Sequence, residues 1–335
     1  MKKILCIGEA LIDMICTDKG SSLSEGQHFL KKPGGAPTNV AAAIAALGGT
    51  VELIAKVGND PFGRQLIAVM EASGVSTRWM VVDEGHFTTF AFVSLMEDGE
   101  RDFVFNRGAD GELTVQEVEA VDLSGVGIVH FGSATGFLPG PLQAAYYGLL
   151  QKALRQEIFI SFDPNYRHLL FRNNARSFID HSWNFLDCCH FFKLSDEEAM
   201  LVTGCATLKD ATMILQEKTK AVFAITLGKE GTLLRVGDVT EVVASIPVVP
   251  VDTTGAGDAF VGAVLYQLSV EDAAVAPARG EAAAGAMGLA AVAEGPGDVE
   301  RWRRIVRNAN KAGARTCEYM GAMEAFTHLS NRIFE

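Results

Sequence analysis

The run Val251-Asp252-Thr253-Thr254-Gly255-Ala256-Gly257-Asp258-Ala259-Phe260 places a carboxylate where a Gly-Ala-Gly turn leads into the apolar stretch Val261 to Leu268. Glycine lets the backbone approach a ligand closely, and the start of a helix aims free N–H groups at one point, so the run reads as an anion hole. An aspartate beside an anion is unfavourable unless it acts there as a base. Asp258 would accept a proton from an attacking hydroxyl while the amides of Gly255, Ala256 and Gly257 stabilise charge on a transferred phosphoryl group. The plainer alternative is a helix N-cap, with Asp258 serving local amides. Gly-x-Gly-Asp alone would favour that alternative; the whole run favours the chemistry.

A second stretch, Lys32-Pro33-Gly34-Gly35-Ala36-Pro37-Thr38-Asn39-Val40-Ala41, sets two glycines before a helix, with Asn39 able both to donate and to accept towards hydroxyls. Asp13, in Gly8-Glu9-Ala10-Leu11-Ile12-Asp13, is a carboxylate just past a buried strand. Open α/β sheets bind ligands at the carboxyl ends of their strands, and a carboxylate there suits a neutral polyol whose hydroxyls donate to it. Turn glycines and a surface aspartate are the competing reading.

The elements that must carry these residues alternate between short β-rich runs and helical patterns, which predicts a doubly wound, mostly parallel α/β sheet flanked by helices. Ile4–Ile7, Val51–Val57, Ile128–Phe131, Ile158–Phe162, His190–Leu194 and Ala221–Thr226 read as its strands. Helices are expected at Pro37–Leu47, Pro61–Ala72, Pro141–Leu154 and Ser195–Val202, and the chain from Ala256 onward reads as mostly helical. Ala10–Cys16, Gln27–Lys31, Thr88–Leu95 and Arg101–Asn106 break this rhythm, the last two flanking the turn Glu97-Asp98-Gly99-Glu100. They predict a small β-sheet of residues 10–31 and 88–106, projecting from a core of 1–9, 32–87 and 107–335. That sheet is either a lid over a ligand cleft, a plain β extension or a dimer surface. The Ala- and Gly-rich segment 277–297 reads as a helical insertion or a loop.

With 29 Lys and Arg against 41 Asp and Glu, the 335-residue chain carries a net charge of −12. An acidic surface repels phosphate backbones and anionic lipid, so neither a nucleic acid nor a membrane is an expected partner. Six cysteines lack metal-ligand spacing and read as reduced thiols of a cytoplasmic protein. The N-terminal apolar run meets Glu9 and Asp13 too early for a signal peptide. There is no Gly-x4-Gly-Lys-Ser/Thr run and no Gly-x-Gly-x-x-Gly run, which argues against a P-loop enzyme and a Rossmann dehydrogenase.

Taken together, the two glycine motifs resemble those of the ribokinase-like (PfkB) carbohydrate kinases, in register over about 300 residues, with fructokinases the most similar members. The resemblance implies a doubly wound core with a β-sheet lid, ATP and Mg²⁺ with K⁺ as cofactors and a sugar as substrate; the Phe-rich face of the lid predicts a homodimer formed through it. It makes Asp258 the base, Gly255 to Gly257 the anion hole, and Asp13, Gly34, Gly35 and Asn39 the sugar ligands. In Asp163-Pro164-Asn165-Tyr166-Arg167 it turns Asn165 towards phosphate and Arg167 towards sugar or phosphate. Lys193-Leu194-Ser195-Asp196-Glu197-Glu198 aligns with an Asn-x-x-Glu element in which Glu198 organises Mg²⁺ through water, with Ser195 in place of the usual Asn. An N-cap at Ser195 is the alternative there. Thr226, Gly228 and Gly231 fall on a nucleotide loop, Asn310 beside the adenine, and Asp252 and Thr254 on a monovalent-cation loop. The run Gly99 to Arg107 is closest to fructokinases, and Arg107 would point from lid to sugar. Phosphorylation of fructose is the expected activity. A 2-keto-3-deoxygluconate kinase, a ribokinase, a nucleoside kinase or an inactive sugar-binding sensor are the alternatives.

Overall fold

The computed structural model describes residues 1–96, 101–171, 174–271 and 296–334. Thirteen strands are β1 (Lys3–Ile7), β2 (Leu11–Cys16), β3 (Phe29–Gly34), β4 (Val51–Gly58), β5 (Ser76–Asp83), β6 (Thr89–Leu95), β7 (Arg101–Asn106), β8 (Val126–Phe131), β9 (Phe159–Phe162), β10 (Phe191–Ser195), β11 (Val222–Thr226), β12 (Thr232–Val236) and β13 (Val239–Val243). Nine of them form one sheet in the order β13-β12-β11-β10-β9-β8-β1-β4-β5. The pairings from β5 through β11 are parallel, and only the β11-β12-β13 edge is antiparallel. Strands buried on both faces need no polar alternation, which is why β4 and β8 are wholly buried apolar-rich runs.

Two apolar cores lie on the two faces of this sheet. One packs Cys6, Ile128 and Phe191 under the helices Ala36–Ala46, Ala256–Val270 and Pro296–Thr316. The other packs Leu5, Phe131 and Phe192 under Pro141–Arg155, Ala175–Leu186 and Asp196–Thr203. Chain direction across the sheet reverses between β1 and β8. In doubly wound folds that reversal opens a crevice at the carboxyl ends of the strands, where ligands bind.

The remaining four strands form a separate sheet, β3-β2-β6-β7, in which β2 and β6 are parallel and the outer pairings antiparallel. Its second strand in chain order, β3, runs to Gly34 rather than ending at Lys31. Pro33 masks the pattern, but β3 is an edge strand, where a missing N–H breaks no ladder. Three further strands escaped the sequence reading: β5 at the opposite edge, whose Ser, Thr and Arg hide its apolar side, and the β12-β13 hairpin closed by Gly237 at a φ of 58°. The turn 97–100 and all of 277–297 up to residue 295 lie outside the described residues. Among the described residues, no helix is long and apolar enough to cross a membrane.

Candidate active site

The helix Ala36–Ala46 is built almost wholly from small residues, and it packs against Ala256–Val270 at very short range. A Cβ on Gly262 would stand 2.8 Å from the Ala43 Cβ, so glycine against alanine sets the spacing. One turn earlier on each helix, Asn39 and Asp258 face each other, and Asn39 Nδ2 donates to Asp258 Oδ2 at 2.8 Å. Gly35, at a φ of 107°, caps the first helix; Gly255, at 81°, caps the second. Both positions are left-handed, where glycine carries no Cβ penalty.

Asp258 is buried, and burial pushes its carboxyl up to about 6; the Asn39 hydrogen bond opposes the rise, Asp163 adds to it, and Arg167 and Lys193 oppose it. A base poised just below neutral pH is charged at pH 7 yet takes a proton readily. Lys193, in the middle of β10, pairs with Asp163 Oδ2 at 3.1 Å. Burial alone would lower the Lys193 ammonium, and the carboxylates of Asp163, Glu198 and Asp258 reverse that. A Cβ on Gly257 would lie 3.3 Å from Lys193 Nζ, so the absent side chain leaves the ammonium open to the helix start.

The anion hole differs in one respect from the sequence expectation. Ala256 N–H is spent on Thr253 O at 3.2 Å, closing the turn that Gly255 begins. The amides of Gly255, Gly257 and Asp258 have no protein acceptor among the described residues and remain as donors around the helix start. Lys193 adds a positive charge beside them.

Asp13 lies in β2 opposite Lys32 and Ala91. Burial pushes its carboxyl up to about 6, with Arg167 opposing and Glu9 adding to the rise. Gly34 is needed beside it, because a Cβ there would sit 2.0 Å from Asp13 Oδ2. Arg167 therefore feels both Asp13 and Asp258 and joins the two carboxylates electrostatically. It is carried by Asn165, whose φ of 47° turns the chain sharply after β9 and whose Nδ2 donates to Gly132 O at 2.9 Å. Asn165 Oδ1 accepts from Arg167 at 3.4 Å. Asparagine is among the few residues that tolerate this conformation, which accounts for its place in the run.

Several expected ligands are occupied by the protein itself. Asn39 was read as a sugar ligand, but its amide is engaged by Asp258; its Oδ1 is buried and without a partner. Arg107 was read as pointing from the small sheet to the sugar. Its guanidinium instead donates to Pro139 O at 2.8 Å and Thr135 O at 3.4 Å, and its Nε lies 3.7 Å from the buried Asp110, which draws it to the core. Ser195 and Glu198 form a capping box: Ser195 Oγ accepts from Glu198 N, and Glu198 Oε2 accepts from Ser195 N. Glu198 Oε1 accepts from Tyr166 N at 2.7 Å, tying the helix to the Asn165–Arg167 turn. Asn310, read as lying beside an adenine, accepts from Thr232 and donates to Val243 O, stitching the hairpin to the Pro296–Thr316 helix.

Thr226 donates to Leu194 O at 3.3 Å, and Gly228 and Gly231 shape a tight turn that brings β11 into β12. Asp252 accepts from Thr254 N and Oγ1 and from Gly321 N, and against the effect of burial these bonds hold its carboxyl below the usual range. Asp163 and Glu9 were missed as site residues. The available signal was similar for both: Asp163 directly follows the buried strand β9, and Glu9 follows β1 with only Gly8 between.

The site thus joins a buried carboxylate, a helix start with open amides beside a lysine and an arginine, and a second carboxylate on the small sheet. The pfkB family carbohydrate kinase model matches residues 1–328. Fructokinase-1 of Zea mays is 38% identical over 270 residues, covering 79% of this chain and 82% of that protein. The solved fructokinase of Xylella fastidiosa with bound ATP is 28% identical with a TM-score of 0.81, covering 99% of this chain and 96% of that one. A fructokinase double mutant from Vibrio cholerae O395, in a fructose, ADP and potassium ion bound form, is 26% identical with a TM-score of 0.78 and covers 100% and 97%. The chain belongs to the pfkB family of carbohydrate kinases, phosphotransferases that act on a sugar hydroxyl.

Proposed function

We propose that the chain transfers the γ-phosphoryl group of MgATP to the 6-hydroxyl of D-fructose. The observation that carries the chemistry is the buried pair Asn39–Asp258 at the start of a helix with free amides. Asn39 holds Asp258 Oδ2, leaving Oδ1 for the hydroxyl proton. Lys193, Arg167 and the amides of Gly257 and Asp258 would absorb charge on the phosphoryl group as it passes, so catalysis is positioning and electrostatics. The buried, unpartnered Oδ1 of Asn39 calls for a donor, and a sugar hydroxyl supplies one. Asp13, with Gly34 and Gly35 beside it, takes further hydroxyls.

Fructose is favoured by the fructokinases to which the chain is similar, since Arg107 no longer argues for it. The nucleotide lies along the Thr226–Gly231 turn, with Asn165 near its phosphates. Magnesium arrives with ATP, and Glu198 would meet it through water with the lone pairs its capping bonds leave. A monovalent cation, potassium in the similar Vibrio protein, would sit at the Asp252–Thr254 loop and add positive charge behind the anion hole. Asp252 Oδ1 is filled by the Thr254 amide and hydroxyl, but Oδ2 accepts only from Gly321 N and keeps a lone pair for the cation.

The small sheet acts as the lid, excluding water when it closes over sugar. Its exposed Ile15, Leu30 and Leu95 offer an apolar patch for a second copy of the chain. The free thiols support a reducing compartment, the cytoplasm. NMR of the product tests the reading: phosphate on O6 of fructose supports it, and phosphate on another carbon refutes the regiochemistry.

A further inference from the structure

The chain crosses between core and small sheet four times, at Glu9 into β2, from β3 to Ala36, at Thr89 into β6, and from β7 through Gly108 to Asp110. All four crossings are tied to one core segment, Ser133–Thr135, by two buried carboxylates. Glu9 accepts from Ala36 N at 3.1 Å, from Ala134 N at 3.3 Å and from Ser133 Oγ, and its Oε2 lies 3.4 Å from Thr135 Oγ1. Asp110 accepts from Thr135 Oγ1 at 2.9 Å and from Thr89 Oγ1. Thr89 Oγ1 in turn accepts from Gly108 N at 2.8 Å, joining the third crossing to the fourth. Glycine sits where the crossings touch backbone: a Cβ on Gly35 would stand 2.4 Å from Glu9 O, and one on Gly108 would stand 1.9 Å from Phe87 O.

We propose that Glu9 and Asp110, bridged by the Thr135 hydroxyl, are positioning residues that set the small sheet, and with it Asp13, on the core. Asp13 lies four residues after Glu9, on the strand that leaves this junction. Both main-chain donors meet Glu9 at Oε1 and both hydroxyls lie at Oε2, so a glutamine would keep its oxygen on the N–H groups and turn its N–H₂ to hydroxyls that can accept. Glu9→Ala, which removes the carboxyl altogether, leaves those buried donors unpaired.

The inference rests on the small sheet being the lid, and its test separates the two. Hydrogen exchange of the ligand-free protein is compared among wild type, Glu9→Ala, Thr135→Val and Thr135→Ser. Thr135→Val loses the shared hydroxyl at nearly constant shape, which keeps the test open if Glu9→Ala fails to fold. Amides of β2, β3 and β6 are expected to exchange at least about tenfold faster in Thr135→Val, with β8 and Ala256–Val270 unchanged and Thr135→Ser restoring protection. In turnover, the KM for fructose rises about tenfold with the KM for ATP within about twofold, the split expected when only the sugar carboxylate is misplaced. Unchanged exchange in the small sheet, or faster exchange spread evenly over the whole core, overturns the proposal. If wild type does not phosphorylate fructose, the substrate reading fails while the exchange result still decides the junction.

Discussion

Asn39 Nδ2 lies 2.8 Å from Asp258 Oδ2, joining two residues 219 positions apart through helices whose contact surfaces are glycine and alanine. This bond does two things at once. It fixes the base in one rotamer, and it lowers a carboxyl that burial raises.

The bond predicts the acid limb of activity. Asp258 must be ionised to take a proton, so kcat/KM falls as pH drops through about 6, the value to which burial raises the free carboxyl. Asn39→Leu removes a hydrogen bond to a charged group, worth about 1.5–3 kcal/mol, and moves that limb up by roughly one to two pH units. A pH profile superimposable on wild type would remove Asn39 from control of the base.

The same raised carboxyl predicts a trade between stability and activity. Asp258 goes from 3.8 in the unfolded chain to about 6 when folded, so the folded state holds the proton more tightly. Its contribution is fully present below 3.8 and is lost as pH rises through 6, a change of roughly 3 kcal/mol for a two-unit shift. Asp258→Asn stays neutral at every pH and escapes that loss. The variant should melt no lower than wild type at pH 8 while kcat falls at least about 10²-fold, measured by thermal unfolding and turnover side by side.

Much of this was legible in the sequence, for physical reasons particular to each part. The helix start at Gly255–Asp258 announces itself because only glycine serves a left-handed cap at a φ of 81° with a Cβ 2.5 Å from Ala322. The core strands announce themselves as apolar runs. What sequence does not carry is the partner of a polar side chain. Asn39 and Asp258, and Asn310 and Thr232, find each other through helix packing and hairpin closure, over separations no local pattern encodes. Arg107 shows the consequence: its type suited a sugar, and the buried carboxylate three residues on claimed it.

Under the proposed function, substitutions at two glycines are predicted to separate sugar binding from phosphoryl transfer. Gly34→Ala would set a methyl 2.0 Å from Asp13 Oδ2, so it should raise the KM for fructose at least about tenfold with little change in the KM for ATP. Gly257→Ala would put a methyl 3.3 Å from Lys193 Nζ, in the space that a phosphoryl group needs, and should act chiefly on kcat, by about 10²-fold or more. Steady-state kinetics with each substrate varied in turn checks the split, and an equal effect of both variants on both KM values would contradict it.

The central claim is tested most directly by ADP release from MgATP, with potassium present, across fructose, ribose, 2-keto-3-deoxygluconate, adenosine and tagatose. Fructose is predicted to dominate, with kcat/KM at least about tenfold above any other acceptor. Dominance of another acceptor would contradict the fructose reading while leaving the transfer chemistry at Asp258 intact; binding without turnover of any of them would contradict the kinase mechanism itself.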